Sequence, residues 1–142
     1  MTDEIKKMYE DFVHSIDENL DVTFFEGDGY FYDENDLSIN IDTTQPDEES
    51  FIYDIIKNHK CFYAKKIHII LWSILHEIGH YMTYEEESEE EEKIRFECML
   101  NKRPIMDYYK LNSEFIATEW AVNWVEENLD TAINFSRPLE WT

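Results

Sequence analysis

The stretch Ile67–Thr83 reads IHIILWSILHEIGHYMT and contains an HExxH run, His76-Glu77-Ile78-Gly79-His80. Its pattern predicts a helix from near Cys61 to about Thr83. Side chains four residues apart share a helix face, so His76 and His80 can reach one cation. Glu77 is then placed to act on a water held by that ion. Trp72, Ser73, His76, His80 and Thr83 fall along one stripe, while Ile70, Ile74, Ile78 and Met82 lie on faces that can meet a core. Gly79 costs about 1 kcal/mol of helix propensity, which makes sense where something approaches the backbone. Histidine is scarce, five in 142 residues. Chance alone gives about 0.03 such runs in a chain of this composition, which favours a site over two solvent-facing histidines.

Working outward, Ile5, Met8, Tyr9, Phe12, Val13, Ile16 and Leu20 repeat at helical spacing and predict a helix over residues 2–20, with His14 an ordinary residue on it. Between Asp21 and Asp42 the period shortens. Val22–Phe25, Tyr30–Tyr32 and Leu37–Ile41 read as short strands of a small antiparallel sheet or meander. Leu37, Ile39 and Ile41 alternate with Ser38 and Asn40, the mark of one buried face. A polar loop with Pro46 follows, then a helix over Phe51–Asn58. The acidic run Glu85–Glu92 reads as a solvated loop or a helix start, with helices from Glu89 to Leu100 and from Ser113 to Asn128 and a short one opened by Pro104. Residues 131–142 read as an irregular end packing through Phe135, Leu139 and Trp141. The whole, residues 1–142, is expected to be one helix-rich α+β domain.

The formal charge of −21 argues against direct nucleic-acid binding, which needs a basic surface, and suits a partner or substrate with a basic face. No apolar run has transmembrane length, and the acidic N-terminal stretch lacks the apolar segment of a signal peptide. Cys61 and Cys98 have no metal-type spacing, so reduced thiols in a cytoplasmic setting are expected.

A catalytic zinc takes three protein ligands and keeps one position for water. A third histidine in the metzincin manner needs a glycine at position 83 and a histidine at position 86, where this chain has Thr83 and Glu86. His14, His59 and His68 fit no ligand pattern, and His68 reads as a partly exposed helix residue. The last long helix offers carboxylates. Glu114 shares a small, mostly apolar stripe with Ala117, Thr118, Ala121 and Val125, where a lone carboxylate needs a partner. It is the leading candidate, with Glu119 and Asp107 as alternatives.

HEIGHY at 76–81 and SEFIATEWA at 113–121, with GYFYDENDLSINID at 29–42 as a preceding strand pair, resemble the zincin metallopeptidases whose third ligand is glutamate, specifically the ImmA/IrrE type. That family's later helix commonly reads E-x-E-A-N/D-x-F-A. Aligning Ala117, Trp120 and Ala121 with it puts Glu114 on the first glutamate. Ile116 then stands where the second glutamate is usual, and Thr118 where an Asn or Asp can orient a histidine. The resemblance implies a zincin-like fold and a cytoplasmic, often phage- or mobile-element-linked protease that can cut a DNA-binding repressor. Zn²⁺ would be held by His76, His80 and Glu114, with Glu77 as general base. The competing expectation is a non-catalytic acidic interaction protein on the same scaffold, imitating the phosphate field of DNA.

Overall fold

The computed structural model describes residues 1–27, 29–44, 55–61, 63–84 and 86–139. Helix α1 (Asp3–Ile16) is capped by Thr2, whose hydroxyl accepts the Ile5 amide at 3.2 Å, and it buries Tyr9, Phe12 and Val13. It ends earlier than the periodicity over 2–20 predicts. The Asp17 carboxylate accepts the Asn19 amide at 2.9 Å in a turn, and Leu20 enters the core from beyond the helix.

Strands β1 (Asp21–Phe25), β2 (Phe31–Asp33) and β3 (Ser38–Asp42) form one sheet in the order β1-β3-β2. β2 is antiparallel to β3, with Tyr32 opposite Ile39, but β1 is parallel to it, with Val22 beside Ile39. The sheet is therefore mixed, and the expected antiparallel sheet or meander is corrected. The cause lies at Asp42. Its carboxylate accepts the amides of Gly27 at 3.0 Å and Gly29 at 2.9 Å, tying the β1–β2 connection to the end of β3. Both glycines have positive φ, +80° and +72°, which that connection requires. β3 thus becomes the central strand, and all five of its residues are buried rather than one alternating face. Its buried Asn40 is satisfied by Thr23 and by the Gly29 carbonyl. Leu37, expected on the buried face, precedes the strand and is exposed, at φ +51°.

Residues 55–57 are helical and Asn58 lies in a turn, so the helix expected over Phe51–Asn58 ends one residue early; its residues 51–54, and residues 45–50 of the Pro46 loop, lie outside the described residues. A 3₁₀ turn at Ala64–Lys66 precedes α2 (Ile69–Thr83), so the helix expected from Cys61 starts later. His68 is its cap and not a face residue: its Nδ1 accepts the Ile70 amide at 3.2 Å. The His68 amide donates to Ser136 Oγ, and the Trp72 indole donates to the Ala64 carbonyl. Ile70, Leu71, Trp72, Ile74, Leu75 and Ile78 make α2 the centre of the core, each such side chain contributing about 1.5–3 kcal/mol on burial. Met82, expected among the core-facing residues, is 40% exposed.

Helix α3 (Glu89–Met99) begins in a capping box formed by Ser88 and Glu91. Helices α4 (Ile105–Tyr109), α5 (Asn112–Glu127) and α6 (Leu129–Ser136) follow, with a 3₁₀ turn at Arg137–Leu139. The irregular end expected from residue 131 is thus largely helical; Leu139 is buried and Trp141 lies outside the described residues. Phe12 packs edge-on against Trp124 of α5 and against Phe135 of α6, closing α1 onto the other helices. The architecture is α+β, helix-rich with one small mixed sheet. Cys61 and Cys98 are buried free thiols. Among the described residues no helix is long and apolar enough to cross a membrane.

Candidate metal centre

The site forms where α2 crosses α5, and Gly79 sets how close they come. A Cβ at Gly79 would sit 2.4 Å from the Ala117 carbonyl oxygen and 3.0 Å from its Cα. Only a glycine against a small residue permits this backbone-on-backbone contact. Within one turn of this contact the two helices present His76 and His80, and Glu114 and Thr118, to each other.

His76 Nε2 lies 3.1 Å and His80 Nε2 2.5 Å from the same oxygen of Glu114, Oε2. The imidazole rings are edge to face, 4.8 Å apart. Glu77 stands alongside, its carboxylate 3.9 Å from His76 Nε2. Ligand atoms of His76, Glu77 and His80 all lie within 4.8 Å of one another, a group that can hold a metal ion. Glu114 adds a fourth candidate ligand atom, on a side chain only 3% exposed, whereas His80 is 22% exposed and opens the site to solvent.

Thr118 fixes the proton arrangement on His76. Its hydroxyl donates to the Glu114 carbonyl at 3.0 Å, so toward His76 Nδ1, at 2.9 Å, it acts as acceptor. Nδ1 therefore carries a hydrogen, and Nε2 is the nitrogen turned to Glu114. A bare Nε2 and a carboxylate oxygen facing each other repel unless a positive charge lies between them. Without metal that charge is a proton. Burial draws the His76 imidazole down, but its hydrogen bond to Glu114 and the charge of Glu77 outweigh this, leaving the group raised. Burial pushes Glu114 up, yet the hydrogen bonds of His76 and His80 hold its carboxyl far below the usual range. Glu77 moves the other way: burial raises it more than the two histidines lower it, and the Tyr32 backbone amide hydrogen-bonds it.

The second oxygen of Glu114 meets Arg95 Nη1 at 3.3 Å. Arg95 also binds Glu87 and Ser113 Oγ and lies over the Tyr108 ring, 4.7 Å from its centroid. These residues line a cleft of about 500 Å³ with Phe31, Tyr32, Asp33 and Glu34 of the sheet, and with Tyr84. Among the described residues β2 is an edge strand, and its residues form one wall of the cleft.

Of the residues singled out in the sequence, His76, Glu77, His80 and Glu114 come together. Glu119 instead faces away and pairs with His59 Nδ1 at 2.5 Å, and Asp107 pairs with Arg103 at 3.6 Å. His14 binds the Leu20 carbonyl. Tyr108 lines the cleft, whereas Tyr81 meets Tyr32 edge-on and Tyr109 meets His76 and Tyr108 edge-on. Sequence reasoning missed the roles of Arg95 and Glu87, and it set Thr118 at the histidine-orienting position only as a departure from the family pattern. A faint signal existed: Arg95 is one of three arginines in the chain and sits in its most acidic region. Comparison with protein-family models, curated proteins and solved structures gives no match.

Proposed function

We propose that the chain is a zinc-dependent peptidase of the zincin kind, its ion held by His76, His80 and Glu114. The observation that carries this reading is the convergence of two imidazole nitrogens on one buried carboxylate oxygen, with Glu77 beside them in an open cleft. Zinc bonds of about 2.0–2.2 Å in a tetrahedron separate ligand atoms by roughly 3.3 Å. The 3.1 Å pair already fits, and the 2.5 Å pair needs His80 to swing outward toward its solvent-exposed side. Bound there, zinc would polarise a scissile carbonyl and acidify a water.

The remaining chemistry belongs to the chain. Glu77, its affinity for a proton raised by burial, takes a proton from the attacking water. It then delivers that proton to the leaving amine as the C–N bond breaks. Burial, and then the negative charge of Glu114, push the Tyr108 phenol up strongly, so it keeps its proton at neutral pH and can donate to a developing oxyanion. An extended peptide adds to the edge strand β2 through main-chain hydrogen bonds. The negative charge of the chain, −21, favours a basic substrate, and a DNA-binding repressor of the kind cut by ImmA/IrrE-type proteins is the class to try first.

Glu77→Gln is expected to retain zinc and lose hydrolysis by about 10²–10⁴-fold, while His76→Ala loses the metal. Metal analysis of the purified variants, followed by peptide and repressor digestion with and without chelator, tests this. Full activity in Glu77→Gln would refute the assignment of the base.

One observation favours a second reading. Glu86, Glu89, Glu90 and Glu92 are all exposed, a surface able to occupy a nucleic-acid-binding protein. Tight, salt-sensitive binding to a basic partner, unchanged by chelator and without cleavage, supports that reading over the first.

A further inference from the structure

We infer that Arg95 is a positioning residue that holds Glu114 to a single metal-facing oxygen, and that the acidic segment before α3 holds Arg95 in place through Glu87. The inference rests on the metal-site reading above and deepens it.

A carboxylate can offer a divalent ion one oxygen or two. At Glu114 the two oxygens are already divided: Oε2 faces both imidazoles, and Oε1 faces Arg95 Nη1 at 3.3 Å. A second oxygen on the ion would fill the position that a water or substrate needs. Arg95 is held on several sides. Glu87 binds its Nε at 2.8 Å and also its Nη2, Ser113 Oγ lies 3.2 Å from Nη2, and the Tyr108 ring lies beneath the guanidinium. The planar fork is needed because it binds Glu87 and Glu114 at once, which an ammonium cannot do with fixed direction.

The acidic segment is tied to the same place twice. Ser113 Oγ donates to Glu87 at 3.0 Å, and the Asn112 amide donates to Glu91 at 3.2 Å. Both contacts fall at the start of α5, directly before Glu114. Part of the run that reads as a solvated loop is therefore a brace for the third ligand.

The test uses the full chain loaded with Co²⁺, whose visible absorption distinguishes four- from five-coordinate ions. The unsubstituted protein is expected to give intense four-coordinate bands. Arg95→Gln is expected to weaken and shift them to the five-coordinate form as Glu114 turns its second oxygen to the ion. Glu87→Gln, which leaves Arg95 and Glu114 intact, is expected to give a mixture of the two. Arg95→Lys, which keeps the charge without the fork, serves where Arg95→Gln does not fold, and is expected to show the same shift. Four-coordinate spectra in every folded variant overturn the proposal. An unsubstituted chain that binds no Co²⁺ overturns the metal-site reading itself, and this proposal with it.

Discussion

At the scale of single residues, Thr118 shows how a hydroxyl can do the work of an amide or carboxylate. By donating to the Glu114 carbonyl it becomes an acceptor toward His76, and this turns the bare Nε2 to the site. Thr118→Val removes the acceptor at nearly constant volume. Metal affinity is expected to fall about 10–100-fold in a chelator competition, with Thr118→Ser restoring most of it. Asp42 carries a different load. Burial pushes its carboxyl up, but hydrogen bonds from Thr44, Gly27 and Gly29 outweigh this and bring it down to about 2. An unfolded aspartate titrates near 3.9, so the folded value is depressed. The stabilisation is complete above about pH 4 and disappears as pH falls through about 2, on the order of 2 kcal/mol. Asp42→Asn is expected to flatten the stability curve across that window in urea unfolding; an unchanged acid limb would contradict it. The convergence of His76 and His80 with Glu114 was legible, because a four-residue spacing is local and Glu114 sits on an apolar stripe. The roles of Arg95 and Glu87 were not, since they exist only once α2, α3 and α5 have met.

At the scale of elements, the crossing of α2 and α5 governs the site. Gly79→Ala forces a methyl into the Ala117 backbone, which cannot yield as a side-chain tip would. The expected result is about 1–3 kcal/mol of destabilisation and loss of tight metal binding, read by thermal unfolding and metal titration. An alanine variant with full affinity would mean that the helices are not held by this contact. The sequence pointed to this approach through a glycine that helix propensity disfavours. It did not disclose the sheet order, because placing β3 between β1 and β2 depends on Asp42 reaching back to Gly27 and Gly29. α6 was hidden for a local reason. Asn128 is both the last cap of α5 and the first of α6, and its side chain donates back to the Trp124 carbonyl, so the two helices abut with no intervening turn residues to mark the boundary.

At the scale of the whole molecule, two free-energy terms dominate the metal-free state. The charge of −21 opposes compaction, and the cleft gathers five carboxyl groups, Asp33, Glu34, Glu77, Glu87 and Glu114, against one arginine. Raising salt shortens the screening length from about 30 Å at 0.01 M to about 8 Å at 0.15 M. The metal-free protein is therefore expected to melt at higher temperature in the higher salt; a falling Tm would show that attractive pairs such as Arg103 with Glu97 outweigh repulsion. Zinc at 100 times its Kd is expected to add about 2.7 kcal/mol, reversed by chelator. The dry contact at Gly79 has a last consequence for ion selection. Two helices locked at one separation act as a gauge of ionic radius. Calcium, with bonds of about 2.3–2.6 Å and six to eight oxygens, is expected to bind such a site more weakly than zinc in a metal titration, because helices this close leave little room for further ligands.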